Sequence, residues 1–493
     1  MIPRSMLRTL PIVALAVIGV LLVHSIQDPH RPMAHLPWAL AWPRAIRCDL
    51  GLALLGLAWI WVLRRTSTST GPTLGEVLLL AVPVHLVTLQ YATFLTNDCM
   101  YYMAIGRTIA RGHSIFGQLI INAPADHVPQ HVDGHYSAYL PGFHLLCWIV
   151  ALIGKESLFL SMRLYQLVAA LAMFATAGLT GLTARRASLA GTLSASFVGS
   201  VEGVDPTARS ERAAAKAAAL VIFSPLAIIE ATGNGHNDAL MALSIAVFAA
   251  CLASGRTIAA VAGLAIGLSI KISGILPMGI FLGALLIAPI HKRLSSRAAA
   301  ALFVTVAVLG AVGVWLMLPT LAPYSRLFQH GRALACTFRS LECPVQRWLL
   351  NAGRFDESWA VGLAVRAAGA VFVLYAIWRI CRDARPLARI GVALFVLYLY
   401  AAGQSWSWYF LSVLPLACFA PPGYYRAILA GLLAYPLSYA GSILFGALPG
   451  RYVGWQMTME LVIVNAPPTF FLIWDHVRHL RGGSASVVTH ARA

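Results

Sequence analysis

An aspartate, Asp98, stands where an apolar run at 75–95 gives way to the stretch TNDCMYYMAIGRTIARG at 96–112. Read as a helix, 98–111 gathers Asp98, Tyr101, Tyr102, Ile105 and Ile109 on one face and Arg107 and Arg111 on another, with Gly112 as the stop. A carboxylate held in this way at a membrane surface can take a proton from a substrate hydroxyl. The competing reading is a plain helix cap.

A second polar cluster lies in EATGNGHNDAL at 230–240, which places Glu230, two glycines, His236, Asn237 and Asp238 at one turn between apolar runs. Such density in a membrane setting points to a site. Gly233 and Gly235 permit a tight turn, and Asn237 or Asp238 is placed to cap the next helix. HND matches no established metal-ligand spacing, so no metal is assigned and a divalent cation is left open. Lys271, in GLSIKISGILP, falls near the outer end of an apolar helix. An ammonium there costs on the order of a few kcal/mol unless it reaches the headgroups or an anion, for which a phosphate is suited. Arg163 stands at similar depth, and Arg326, Arg332, Arg339 and Arg347 add positive charge in the 319–360 segment. Guanidinium forks match phosphate oxygens. Trp406, Trp408 and Tyr409 mark another helix end, either as an interfacial belt or as a platform for a sugar face. Cys336 and Cys343 are close enough to form a disulfide or to remain two thiols.

The elements that must position these residues are helices in lipid. The chain is 59% hydrophobic and only 11% charged, which makes it an all-α, polytopic membrane protein. The net charge of +18 is spread as anchors between apolar runs, which excludes a nucleic-acid-binding domain, and the eight cysteines contain no CxxC. Apolar runs suggest about fourteen crossings, among them 214–232 and 407–421. The basic clusters Arg64/Arg65, Arg185/Arg186 to Lys216, Lys292 to Arg297, Arg379 to Arg389 and Arg478/Arg481 then share the cytoplasmic side, leaving Asp98 on the extracytoplasmic face of the plasma membrane. This holds only if 138–154 does not cross; an ordinary short crossing is the alternative. The chain divides into two N-terminal helices (1–74), a helical module with outer loop 96–159 (75–318), an outer loop (319–360), C-terminal helices (361–476) and a cytoplasmic tail (477–493). Segment 183–213 reads as a mobile cytoplasmic loop.

The order Asp-x-x-Tyr-Tyr with GR and RG following, then YLPGF, GHNDALM, IKISGILP and WSWYFLSVLP, resembles the GT-C superfamily of polyprenyl-phosphate-sugar-dependent glycosyltransferases. It is most similar to the bacterial polyprenol-phosphomannose-dependent mannosyltransferases. The resemblance spans about 75–421 and implies a GT-C fold with outer juxtamembrane helices at 98–112 and 138–154. It implies Asp98 as catalytic base and His236, Asn237 and Asp238 as the second acidic motif. Lys271, Arg163, Tyr101, Tyr102, Arg107, Tyr139, Arg332, Arg339, Trp406 and Trp408 are the expected substrate-binding residues. The implied reaction moves a hexose, mannose in the nearest relatives, from a polyprenyl-phosphate donor to a lipid or glycan acceptor with inversion and without a required metal. A departure is His113-Ser114-Ile115-Phe116, where relatives carry Asn-Pro-Tyr. A transporter, or a flippase or polymerase of lipid-linked glycans, is the competing class. Oligomeric state is not encoded in any motif.

Overall fold

The computed structural model describes residues 3–26, 38–91, 98–115, 137, 139–155, 157–193, 197, 205–287, 297, 304, 308, 311, 315, 342–383, 385–402, 407–446 and 461–478. Among these no residue is in a strand. The first seven helices are α1 (Arg4–Leu7), α2 (Leu10–His24), α3 (Trp38–Thr66), α4 (Leu74–Thr88), α5 (Asp98–Ala110), α6 (Pro141–Gly154) and α7 (Leu158–Leu189). They are followed by α8 (Pro206–Ile222), a π turn (Ala227–Gly233), α9 (Asp238–Ala253), α10 (Thr257–Ile270) and α11 (Ile275–Ile287). Then come α12 (Cys343–Asn351), α13 (Phe355–Asp383), α14 (Pro386–Val396), α15 (Leu414–Ala417), α16 (Pro422–Gly446) and α17 at 461–478.

Large apolar side chains line the outside as well as the core: Ile258 is 75% exposed, and Leu171, Leu374 and Trp61 are exposed too. Water would penalise such a surface, whereas a bilayer solvates it. By length and composition, three described helices can cross a membrane, Trp42–Thr66, Leu158–Leu189 and Phe355–Arg382, and a bent fourth span is made by Pro206–Ile222 with Ala227–Gly233. Among the described residues seven further apolar helices have 10–17 residues, so the expected helical class is observed and the number of about fourteen crossings is not confirmed. Run 407–421 is a correction: it folds as a 3-10 turn (Ser407–Ser412) and the four-residue α15, mostly buried, because Pro415 and the serines break the helical ladder. The loop expected at 183–213 is helical at both ends, while 194–196 and 198–204 lie outside the described residues. Helix α7 runs on to Leu189 and α8 starts at Pro206, where Asp205 accepts from the backbone of Thr207 and Ala208.

The alanine-rich α8 is the axis of the main core, with 213–222 buried apart from the half-buried Lys216 and α7 packed along it. Small side chains let neighbouring backbones approach closely. Pro225 cannot continue the helix, and the chain bends by 57° into the π turn. The carbonyls freed at this break need partners in an apolar interior. Trp59 Nε1 lies 3.2 Å from Ala219 O and 3.1 Å from Leu220 O, and His85 Nε2 lies 3.0 Å from Ile222 O.

A second, smaller core unites α5, α6 and the start of α7 around Tyr102, Phe143, Cys147 and Tyr165. Gly106 sets its closest approach: a Cβ there would lie 2.2 Å from the Cys147 carbonyl oxygen. The expected helix at 98–111 is α5, and Gly112 ends it with φ +100. At 14 residues α6 is about 21 Å long, against a hydrocarbon core of about 30 Å. Leu145, Ile149, Leu152 and Ile153 form its exposed apolar face. Leu140 N donates to Ile270 O at 3.4 Å, which ties this small core to the end of α10.

Candidate active site

Three breaks in regular helix converge: the start of α5, the turn at 234–237 and the junction of α10 with α11. They deliver Asp98, His236 and Lys271, in that order, to the same place. The 234–237 turn is possible because Gly235 has φ +68, a conformation costly to any residue with a Cβ. Gln166 fixes the turn from α7, its Nε2 donating to Gly233 O at 2.6 Å and Tyr91 O at 3.0 Å.

His236 is wholly buried at the centre. Its Nδ1 lies 3.3 Å from Asp98 Oδ2 and its Nε2 3.5 Å from Glu230 Oε2, within ion-pair range and not aligned as conventional hydrogen bonds. The ring stacks on Trp408 with centroids 4.2 Å apart. Asp98 keeps 32% of its side chain open, whereas Glu230 is buried. Glu230 accepts from Asn234 Nδ2 at 3.0 Å, from Ser407 Oγ at 2.6 Å and from the Tyr439 hydroxyl. Burial alone would raise the Asp98 carboxyl. The neighbouring imidazole of His236, with Lys271 and Tyr102 further round, outweighs it and holds the group below its ordinary value.

Asp238 and Lys271 form the second feature, with Lys271 Nζ 2.7 Å from Asp238 Oδ2. Lys271 terminates α10 in an extended conformation, and its ammonium also sits 4.3 Å from the centroid of Tyr409. Neither Asn237 nor Asp238 caps α9 through its side chain, contrary to the capping reading. Asn237 Oδ1 instead accepts from the Tyr102 hydroxyl at 3.2 Å, and Asp238 is spent on Lys271.

Of the remaining expected residues, Tyr139 packs against both Tyr101 and Tyr102, with the Tyr102 and Tyr139 centroids 5.2 Å apart. Arg107 is buried on α5. Arg163 points elsewhere: its guanidinium donates to the carbonyls of Leu89, Gln90 and Tyr91 and to Gln166 Oε1, closing the end of α4. Trp408 is buried, which removes it from an interfacial belt, and one face is covered by His236. Arg332, Arg339, Trp406 and Cys336 lie outside the described residues.

Sequence reasoning noted Glu230 without assigning it a role, although a buried acid in an apolar run was the available signal. Ser407, Tyr439 and Gln166 carried no signal, since they reach the cluster only through tertiary packing.

An apolar groove of about 510 Å³ opens nearby between α13 and the π turn Leu397–Ala401, lined among others by Leu276, Val373, Leu374 and Tyr398. Arg366 stands in its wall, paired with Glu342 at 2.6 Å. Tyr398 packs on Tyr409 with centroids 5.7 Å apart, so the groove adjoins the ring that carries Lys271.

Fold and site together define a helical membrane protein with a carboxylate, an imidazole and an ammonium brought to one place. Residues 138–401, more than half of the chain, match the model of glycosyltransferase family 87, and the chain belongs to that family. It is therefore a glycosyltransferase, acting on a sugar donor and an acceptor. The matched span includes His236, Asn237, Asp238 and Lys271, and Asp98 precedes it. No curated protein and no solved structure matches the chain.

Proposed function

We propose that the enzyme transfers a hexose, mannose by the sequence resemblance, from a polyprenyl-phosphate donor to a lipid or glycan acceptor on the extracytoplasmic face of the plasma membrane, inverting the anomeric centre. The observation that carries this reading is Asp98. It is a partly open carboxylate at the start of a short, largely buried helix, held low by His236 and placed near Lys271. An ionised carboxylate is the form that a general base requires.

Charge arithmetic supports the same assignment. As the glycosidic bond breaks, negative charge grows on the leaving phosphate and needs a preorganised cation. Lys271 has three N–H donors and spends one on Asp238, leaving capacity for a phosphate oxygen. A monophosphate leaving group neutralised in this way needs no metal. The apolar groove beside Tyr398 suits the lipid tail of the donor, since an isoprenoid chain is satisfied by dispersion and burial alone. Trp408 and Tyr409 then border the sugar end. Family membership favours transfer over transport.

The test uses purified protein in lipid nanodiscs with a radiolabelled polyprenyl-phosphate hexose. Asp98→Asn keeps the side chain's size, and donor binding should persist while turnover falls by about 10²-fold or more. Turnover comparable to wild type in Asp98→Asn would falsify the assignment of the base. Undiminished turnover in excess EDTA is expected, and loss restored by a divalent cation would overturn the metal-free reading.

A further inference from the structure

His236 stands between two carboxylates. Its Nδ1 faces Asp98 Oδ2 at 3.3 Å and its Nε2 faces Glu230 Oε2 at 3.5 Å, with the ring fully buried. A neutral imidazole carries one N–H and one lone pair, so it would turn a lone pair toward one of the two acids. Protons on both nitrogens make both contacts attractive. The flat stacking of the ring on Trp408, 4.2 Å apart and 16° from parallel, favours the same form, because an indole face attracts a cation. Glu230 itself is fastened by Asn234, Ser407 and Tyr439, which come from its own turn, the 3-10 turn and α16. Its carboxylate is thus a fixed point from which the imidazole is held.

We propose that Glu230 and His236 form a buried carboxylate–imidazolium clamp that keeps Asp98 charged and oriented for proton abstraction. This rests on Asp98 being the base, and it makes His236 and Glu230 positioning residues that act through Asp98. Other groups act on Asp98 more weakly or in opposition. Lys271 favours its charge from a greater distance, Tyr102 offers a hydroxyl from the same helix, and Asp238 opposes it. Tyr139 and Tyr409 complete the surroundings as neutral phenols.

The test separates the clamp from the reaction. Protein labelled with ¹³C-carboxyl aspartate is titrated by infrared difference spectroscopy in nanodiscs, with Asp98→Asn used to assign the Asp98 band. His236→Gln keeps an amide in place of the ring and removes the charge. Burial then prevails at Asp98, and its midpoint should rise by about one pH unit or more, a scale typical for losing an adjacent opposite charge. Glu230→Gln, which is isosteric, releases the imidazolium proton and should move it the same way by less, because it also removes a carboxylate that repels Asp98, and the acid limb of kcat/KM should follow in both. An Asp98 midpoint unmoved in folded Glu230→Gln and His236→Gln overturns the clamp, even if Asp98→Asn is inactive. A midpoint that rises in both supports the clamp, and wild-type turnover in Asp98→Asn would then refute only the base assignment. If His236→Gln does not fold, Glu230→Gln alone decides by the same criterion.

Discussion

Lys271 is asked to do two things, to neutralise Asp238 and to hold a phosphate, and a double-mutant cycle separates them. Lys271→Met removes an ammonium 2.7 Å from Asp238 Oδ2 and leaves that carboxylate, 2% exposed, without its cation. Breaking one side of a buried pair costs about 3–5 kcal/mol, and the 11% exposure of the lysine side chain places this one near the lower end, about 3 kcal/mol. Losing the contact with the Tyr409 ring adds roughly 0.5–1 kcal/mol. Asp238→Asn alone strands the ammonium, which has access toward solvent, and should cost about 1–3 kcal/mol. The double variant carries neither charge and should recover most of the loss, giving a coupling of about 2 kcal/mol or more. Denaturant unfolding in mixed micelles gives the four free energies, and equilibrium binding of the polyprenyl-phosphate donor is measured on the same samples. The folded double variant should bind the donor at least tenfold more weakly and turn over slowly. Additive stability losses would refute the structural pairing, and wild-type donor affinity in the double variant would refute the phosphate role.

Two further outcomes are expected from the same packing. Arg163→Gln withdraws the guanidinium from the carbonyls of Leu89, Gln90 and Tyr91 and should cost about 2 kcal/mol of stability, as charged hydrogen bonds do, with donor affinity unchanged; a weakened donor affinity would return Arg163 to the substrate site. If α6 lies on the outer face without crossing, single cysteines at Ala125 and at Ser188 near the end of α7 should differ in intact cells. Only Ala125→Cys should react with an impermeant maleimide, and labelling of Ser188→Cys would mean that α6 spans the bilayer.

Much of the architecture was legible in composition and periodicity, because solvation by lipid leaves a statistical mark on every surface residue. The helical class, the extent of α5, its stop at Gly112 and the dense polar turn at 230–238 all follow from local rules. Asp98, His236, Asp238 and Lys271 were each visible for a related reason, since polar groups beside long apolar runs are conspicuous. Their pairing was not. That Lys271 meets Asp238, that Arg163 closes α4, and that Glu230 binds Tyr439 across 209 positions of sequence are results of packing. The break at Pro225 shows the division clearly. The proline announces that α8 must end, yet the direction of the 57° bend depends on which neighbours donate to the freed carbonyls. Local sequence determines where a helix begins and stops and which residues cannot face lipid. Only the tertiary structure decides which of those residues meet, because the partner of a buried charge is chosen by the global packing that brings distant turns together.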